Sequence, residues 1–408
     1  MPKIHVTKLF IFVGIVWAAL VGPGSVVLIL DSIGATNSQI GIVAGAFAVL
    51  SMVFQPIWGF VSDKIKSARK VLCFCLIGSA SFFGAVFFFE SFYIIVTLLL
   101  FDAIFRCGIV GLLDSHIIKR VNQTPGLQYG HIRLSGSVFF GFLSLVYSGI
   151  IDSFGVMTII PVSFGIALFA VYWGFFVAKD KPKKGDALAL PDQPVNDQTQ
   201  DAKSTLKQDA IALFKNKKYI ALIVFVGFSA LSLQPLWMFL IVYVTEVGGT
   251  QGNVPLIHAI RCAVEIPLFI FIGTACKKVS APKLMAIGVA FQIIYILGLL
   301  FASSFSGVLF AHLLGGAPGF VFGINGRLRF LNDITPNSVR ATSITILGTI
   351  ELGLGAIIGN YIAGNVLDIY STNALSFISL GAQVAAAFML LVIIFQLNKA
   401  NRVRTCGQ

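Results

Sequence analysis

The chain has 408 residues, of which 57% are hydrophobic and only 11% are Asp, Glu, Lys or Arg. Soluble domains carry about 25% charged residues, so this composition excludes a soluble globular protein and indicates a chain folded in a lipid bilayer. The formal net charge is +12, but Lys and Arg occur in short clusters between long apolar runs, which argues against a nucleic-acid-binding surface.

Twelve apolar runs are predicted to be transmembrane helices, because about 20 apolar residues cross about 30 Å of hydrocarbon. The first run is longer than a signal-peptide core and is interpreted as a retained span. The predicted spans are 8–30, 39–61, 71–89, 92–118, 132–151, 156–178, 219–243, 254–275, 283–303, 306–326, 341–366 and 373–396. The fold class is therefore all-α integral membrane, with two parallel-repeat six-helix bundles at 1–178 and 219–408 and a polar cytoplasmic linker at 179–218.

Loop charge predicts the orientation. With twelve spans, both termini, the linker and every second loop hold the Lys and Arg residues outside the spans, whereas the opposite loops hold none. This assignment places Arg327, Arg329 and Arg340 in the loop after span ten. Because Lys and Arg resist translocation, both termini are predicted to be cytoplasmic, in a plasma or inner membrane.

The two halves repeat. Gly59 follows span two, and Gly273 follows span eight. Asp152 closes span five, and Asp368 closes span eleven. The interval from Asp152 to Asp368 is nearly the same as the interval from Gly59 to Gly273. Parallel repeats with a substrate site between them near the midplane are typical of alternating-access transporters.

The six cysteines follow neither a disulfide framework nor a zinc spacing. The sequence has no His/Asp/Glu cluster at ligand spacing, no nucleophile–base set and no glycine-rich phosphate loop. We therefore expect no cofactor, no metal and no enzymatic activity.

The loop after span two begins at Gly59, continues through Asp63 and Lys64, and ends with Arg69 and Lys70. It resembles the signature loop of the major facilitator superfamily, except that Lys66 or Ser67 stands where that family usually has Gly. The resemblance implies a conformational latch, in which the acid pairs with basic groups and a helix N-terminus. A solvated loop that only sets topology is the alternative.

Asp114 closes span four, and the stretch 128–137, with Arg133 in it, opens span five. Together they resemble the lactose-permease-like and phenylpropionate-permease-like branch of that superfamily. The resemblance implies that Arg133 contacts substrate together with Asp114, that Glu265 is a membrane-embedded glutamate and that His312 is the span-ten histidine. Two departures count against lactose-type specificity. Phe140 replaces the sugar-stacking tryptophan, and Gly315 replaces the proton-binding glutamate.

Charges inside spans are candidates for function because each costs about 2.5–3.5 kcal/mol to insert. Asp102 and Arg106 in span four, and Arg261 and Glu265 in span eight, are four residues apart and share a helix face. The open alternative is that both pairs only hold helices together. Further candidates are Glu351 in span eleven and the two Gln-Pro pairs that begin at Gln55 and Gln234.

The leading hypothesis is proton-coupled import of a small polar organic solute such as a sugar, a nucleoside or an aromatic acid. Substrate would contact Asp114, Arg133, Arg106, Phe140, Gln55 and Gln234, and the proton would involve Glu265, His312, Glu351, Asp102 and Arg261. Unpaired arginines would favour a carboxylate solute, whereas arginines paired with their neighbouring acids would not. Export of amphipathic compounds and a non-transporting membrane sensor are the alternatives. The expected partners are protons, the solute and the bilayer, with a monomeric chain and no nucleic acid.

Overall fold

The computed structural model describes residues 2–124, 129–177, 214–274, 279–335 and 340–405, so most of the predicted linker lies outside the described residues. The described part is helical and contains twelve helices long and apolar enough to cross a membrane, which is the predicted number. These spans are Val6–Ser32, Asn37–Ile65, Ala68–Phe88, Phe92–Val121, Ile132–Phe154, Val156–Phe176, Lys217–Met238, Asn253–Ile272, Ala281–Leu300, Phe305–Ile334, Ile346–Ile369 and Thr372–Leu397. Below, the basic side is the membrane side of the Lys- and Arg-bearing loops, and the far side is the opposite one.

Four spans are interrupted helices. Span one consists of Pro2–Ala19, Val21–Gly24 and Val26–Ser32, and Pro23 lies in its middle segment, where the missing N–H removes a helical hydrogen bond. Span seven breaks after Lys217–Met238 and resumes as Leu240–Glu246. Spans ten and eleven contain π-helical turns at His312–Gly316 and Thr349–Leu354. A third π-helical turn, Trp173–Val177, ends span six. Such turns occur frequently at functional sites, and those of spans ten and eleven lie well inside their spans.

The internal repeat is visible in the turns that start spans two and eight. The backbone N–H of Thr36 donates to Gln39 Oε1 at 2.9 Å, and that of Thr250 donates to Asn253 Oδ1 at 2.8 Å. The interval between the two threonines equals the interval between Gly59 and its repeat partner. Each threonine is preceded, two positions earlier, by a glycine with φ of 77° or 80°, a left-handed conformation that glycine adopts without strain. The sequence repeat is therefore also a repeat of local structure.

The two halves pack closely near the far side, where span two meets span eleven and span five meets span eight. A Cβ on Gly41 would overlap the carbonyl oxygen of Asn360, and a Cβ on Gly364 would overlap that of Asn37. Glycine is required at both positions because the two backbones approach too closely for any side chain.

A carboxylate caps a helix across this interface. Asp368 at the end of span eleven accepts hydrogen bonds from the backbone N–H groups of Asn37 and Ser38, both at 2.9 Å. These groups begin span two, and a helix N-terminus favours negative charge. The repeat-related Asp152 lies against Gly252, at the start of span eight. The same type of acid therefore closes span five and span eleven against the neighbouring half.

Replacing Asp368 with Asn is expected to open the far side more often. The neutral amide loses the charge–dipole attraction, so the open population rises by about two- to fivefold, equivalent to about 0.5–1 kcal/mol. The measurement is the rate at which a membrane-impermeant maleimide, added on the far side, alkylates a cysteine introduced at Ala230 in a cysteine-free chain. Glu90→Gln, which neutralises an exposed acid elsewhere on the far side, is the matched control. Equal rates in the two variants would contradict the cap.

Span two ends in a strained turn. Lys66 has φ 56° and ψ 25°, the left-handed conformation, and its N–H donates to the carbonyl of Asp63 at 3.1 Å. Lys66 is one of the two positions, with Ser67, at which the resemblance to the superfamily loop leads us to expect glycine.

Lys66→Gly is expected to stabilise the protein by about 0.5–1 kcal/mol, because the left-handed penalty of about 1–2 kcal/mol outweighs the flexibility of glycine. Thermal unfolding of the purified protein measures the change. Lys64→Gly, two positions earlier within the helix, is the control and should destabilise by about 1 kcal/mol. A lowered midpoint for both variants would show that the turn is not strained.

Candidate functional site

A cavity of about 60 Å³ lies among spans seven, nine, ten and eleven. Its polar and aromatic wall includes Gln234, Trp237, Gln292, Tyr295, Arg327 and Glu351. An apolar cleft with a few convergent polar groups is the usual form of a small-molecule site. Of the residues predicted to line a site, the structure places Gln234 and Glu351 together in this cavity.

A buried ion pair with an aromatic support adjoins the cavity. Arg261 Nε lies 2.5 Å from Glu265 Oε1, and the guanidinium carbon lies 3.3 Å from the ring centre of Trp237. The Arg261 side chain is only 5% exposed, so the pair is almost removed from solvent. His258 also stacks on Trp237, with ring centres 5.8 Å apart. The indole therefore holds the guanidinium plane while the glutamate compensates its charge.

Both ring nitrogens of His312 have a hydrogen-bond partner. Its Nδ1 lies 2.9 Å from the Val308 carbonyl oxygen, and its Nε2 lies 3.1 Å from the Tyr295 hydroxyl. A carbonyl only accepts, so Nδ1 carries the proton and Nε2 accepts from the tyrosine. The side chain is 1% exposed. This geometry favours a neutral histidine that joins span nine to span ten.

Arg327 lies within a helix, and the sequence prediction that put it in a loop is wrong. Span ten continues to Ile334, well past its predicted end, and Arg327 Nη2 lies 2.7 Å from Glu351 Oε1 in span eleven. The glutamate compensates the arginine charge, so the helix continues where hydropathy alone ends it. Glu351 therefore has its basic partner on another helix.

The N-terminal half carries a similar arrangement. Arg133 Nε lies 3.5 Å from Asp114 Oδ1, and its guanidinium carbon lies 3.9 Å from the ring centre of Trp17. The Tyr129 hydroxyl donates to the same Asp114 oxygen at 2.9 Å. Burial, and then the neighbouring carboxylate, raise the pKa of Tyr129 to about 12, so the donating proton is retained at neutral pH. The structure thus brings together the two residues of the predicted substrate pair.

Asp102 and Arg106 hold three spans together. Asp102 is fully buried, accepts from Ser79 Oγ at 2.5 Å and pairs with Arg106 Nε at 2.9 Å. Arg106 Nη1 also donates to the carbonyl of Pro23 at 2.9 Å, in the interrupted part of span one. These contacts favour the alternative that this pair only holds helices together, because Asp102 contacts span three and Arg106 contacts span one.

The other predicted residues lie apart from the cavity wall described above. Phe140 meets the Trp17 ring edge-on at 6.4 Å, and Gln55 is exposed on span two, facing Gly111. The predicted latch residues lie on the basic side, but the loop predicted to begin at Gly59 is shorter than expected. Gly59, Asp63 and Lys64 lie in the helix Asn37–Ile65, and Arg69 and Lys70 lie in the first turn of span three.

Sequence reasoning missed Trp17, Trp237 and Arg327 as functional candidates. Tryptophans near span ends are common membrane-interface residues, so their stacking under Arg133 and Arg261 has no sequence signal. Arg327 does have a sequence signal. Its distance along the chain from Asp114 is close to the repeat interval between Gly59 and Gly273, so the two residues hold related positions in the two halves. Gln383 Nε2 also donates to Gln292 Oε1 at 2.6 Å and links span twelve to the cavity.

Twelve membrane spans in two repeated halves, with an ion pair in the wall of an internal cavity and a second one beside it, define a multi-pass membrane transporter. Residues 26–378 match the model of the MFS_1 like family, and the chain belongs to this family.

Three relatives have related sequences. The uncharacterized transporter YwbF of Bacillus subtilis is 23% identical, with 93% of this chain and 92% of the relative covered. The maltose permease of Geobacillus stearothermophilus is 22% identical, with 91% and 88% covered. The nucleoside permease NupG of Escherichia coli is 24% identical, with 85% and 81% covered.

Two solved structures have the same fold. The crystal structure of the nucleoside transporter NupG has a TM-score of 0.77 at 17% identity, covering 96% of this chain and 99% of its own. A bacterial homologue of the human lysosomal transporter Spinster, in an inward-facing and unoccupied conformation, has a TM-score of 0.66 at 13% identity, covering 96% and 95%. Both confirm the predicted major facilitator fold.

Arg133→Lys is expected to reduce substrate uptake by about tenfold or more although the charge is kept. Lysine lacks the planar fork that pairs with Asp114 while lying flat on Trp17, and a lost hydrogen bond to a charged group costs about 1.5–3 kcal/mol. Initial uptake rates in cells, normalised to membrane expression, measure the effect. Arg120→Lys near the end of span four is the control, and near-normal uptake by Arg133→Lys would remove Arg133 from the site.

Proposed function

We propose that the protein imports a neutral, polyhydroxylated solute, a nucleoside or a short sugar, by proton-coupled symport. The observation that carries the substrate class is charge compensation: Arg106, Arg133, Arg261 and Arg327 each pair with a carboxylate. Paired arginines do not demand an anionic solute, so the pairing favours a neutral one. Two of the relatives are named as a maltose permease and a nucleoside permease, and both names point to hydroxyl-rich neutral solutes.

In this proposal Asp114 and Arg133 bind the solute in the N-terminal half, and the cavity of the C-terminal half completes the site. A guanidinium donates and a carboxylate accepts, so a paired Asp and Arg can bind adjacent hydroxyl groups of a sugar ring. Trp17 keeps the Arg133 plane in place for that contact.

The proposed proton carrier is Glu265. It is partly buried and lies against a single base, Arg261, whose position is also held by Trp237. A proton on Glu265 would release the ion pair without displacing the arginine. Glu351 remains a candidate, whereas His312 is less suited because Val308 and Tyr295 occupy both ring nitrogens.

The proposed orientation has both termini and the basic side in the cytoplasm of a plasma or inner membrane, with the chain acting as a monomer. The charge distribution supports it, because the far-side loops carry no Lys or Arg. The far side is closed by the glycine contacts and the Asp368 cap, which is consistent with an inward-facing state.

Proton coupling is tested with right-side-out vesicles that contain the protein, supplied with labelled uridine or maltose. An imposed inward proton gradient is expected to drive accumulation, and an uncoupler should abolish it. Glu265→Gln should lose accumulation but keep exchange of solute across the membrane, because a permanently neutral side chain cannot cycle a proton. Accumulation that ignores the gradient would leave a uniporter, and gradient-driven extrusion would favour the exporter.

A further inference from the structure

The ion pairs Asp114–Arg133 and Arg327–Glu351 join corresponding spans of the two halves. The first links spans four and five, and the second links spans ten and eleven. Under the repeat, span four corresponds to span ten and span five to span eleven. Each pair thus occurs at the equivalent helix–helix contact of its own half.

The correspondence holds to the residue in spans four and ten. Helices there begin at Phe92 and Phe305, and each of these residues is preceded by a serine. Asp114 lies as far beyond Phe92 as Arg327 lies beyond Phe305, so the two residues are equivalent by count along their spans. The π-helical turn His312–Gly316 widens span ten before Arg327 and turns that side chain about the helix axis relative to a continuous α-helix. The acid of the N-terminal half is therefore replaced by a base at the equivalent position of the C-terminal half.

The match in spans five and eleven is looser. The interval from Arg133 to Glu351 is two positions longer than the interval from Asp152 to Asp368. Glu351 lies in the π-helical turn Thr349–Leu354, whose wider backbone re-aims side chains relative to an α-helix. The turn brings Glu351 within 2.7 Å of Arg327.

Both pairs are partly open to solvent. The side chains of Arg133 and Asp114 are 28% and 31% exposed, and those of Arg327 and Glu351 are 15% and 24% exposed. Arg327 and Glu351 line the cavity that also contains Gln234. A guanidinium has five N–H donors and a carboxylate about four acceptor positions, so one mutual contact saturates neither.

We propose that Arg327 and Glu351 form a second substrate-binding clamp, the C-terminal counterpart of Asp114 and Arg133 with reversed polarity. The two clamps present a donor and an acceptor at each end of one site. This arrangement fits an elongated neutral solute with hydroxyl or amide groups at both ends, such as a disaccharide or a nucleoside. The clamp rests on the proposed function, and it deepens that function by assigning contacts in the second half of the protein.

The test is equilibrium binding of labelled maltose and uridine to the purified full-length protein, which needs no proton gradient. Arg327→Lys and Glu351→Gln are each expected to weaken binding of the bound solute by about tenfold or more, since each removes a hydrogen bond that involves a charged group. Arg329→Lys is the matched control on the same helix, because Arg329 Nη2 donates to the backbone carbonyl of Ile272 rather than lining the cavity. It should bind like the wild type.

The exchanged variant Arg327→Glu/Glu351→Arg distinguishes a substrate-binding clamp from a brace, meaning an ion pair that only holds spans ten and eleven together. A brace only needs the ion pair, so the exchange would restore both the unfolding temperature and the binding affinity. A clamp also needs the guanidinium on span ten and the carboxylate on span eleven, because each contacts a particular group of the solute. The exchange should therefore restore the unfolding temperature while binding stays weak.

Normal affinity in the two single variants, or restored affinity in the exchanged one, would overturn the clamp and leave the proposed function standing. Wild-type binding without gradient-driven uptake would overturn proton coupling and leave the clamp standing. Failure of the wild-type protein to bind either solute would overturn both.

Discussion

Compensation of charge inside the membrane is the constraint on which the rest of the structure depends. An uncompensated arginine at the centre of a span costs about 2.5–3.5 kcal/mol. Several arginines lie within the described spans, and Arg106 and Arg261 lie near the middle of theirs. Four of them meet a carboxylate within 3.5 Å: Arg106, Arg133, Arg261 and Arg327. Two pairs lie within one helix and two join neighbouring helices. The same requirement therefore permits charged groups in the cavity wall and ties helices together. Because each pair is neutral overall, the solute proposed above is one that offers hydrogen-bonding groups rather than net charge.

The repeat determines where the two halves meet. Spans two and eleven, and spans five and eight, form related contacts near the far side. The backbones of Gly41 and Gly364 lie directly against backbone of the opposite half. Asp368 adds a charge-assisted cap at the start of span two. At these two glycines the interface consists of backbone against backbone. It can therefore open as two rigid bodies that rock about the central site, as parallel-repeat transporters do.

The number of spans, the two halves and the superfamily could be predicted because apolar length, loop charge and repeated motifs are local properties of the sequence. The pairing of Asp102 with Arg106 and of Arg261 with Glu265 followed from helical spacing in the same way. The contact between Arg327 and Glu351 could not be predicted, since hydropathy ends span ten before an arginine whose partner lies on the next helix. The tryptophan supports were missed for a related reason: stacking under Arg133 or Arg261 depends on how helices pack, which spacing along one helix does not encode.

The two supported arginines explain how an ion pair can open without losing its geometry. The Arg133 guanidinium lies 3.9 Å from the Trp17 ring centre, and that of Arg261 lies 3.3 Å from the Trp237 ring centre. Each tryptophan belongs to the first span of its half. A guanidinium held against an indole keeps its plane when its carboxylate takes a proton or turns to a solute hydroxyl. The arginine is then the stationary partner and the acid the changing one, and this division is what the proposed coupling through Glu265 requires.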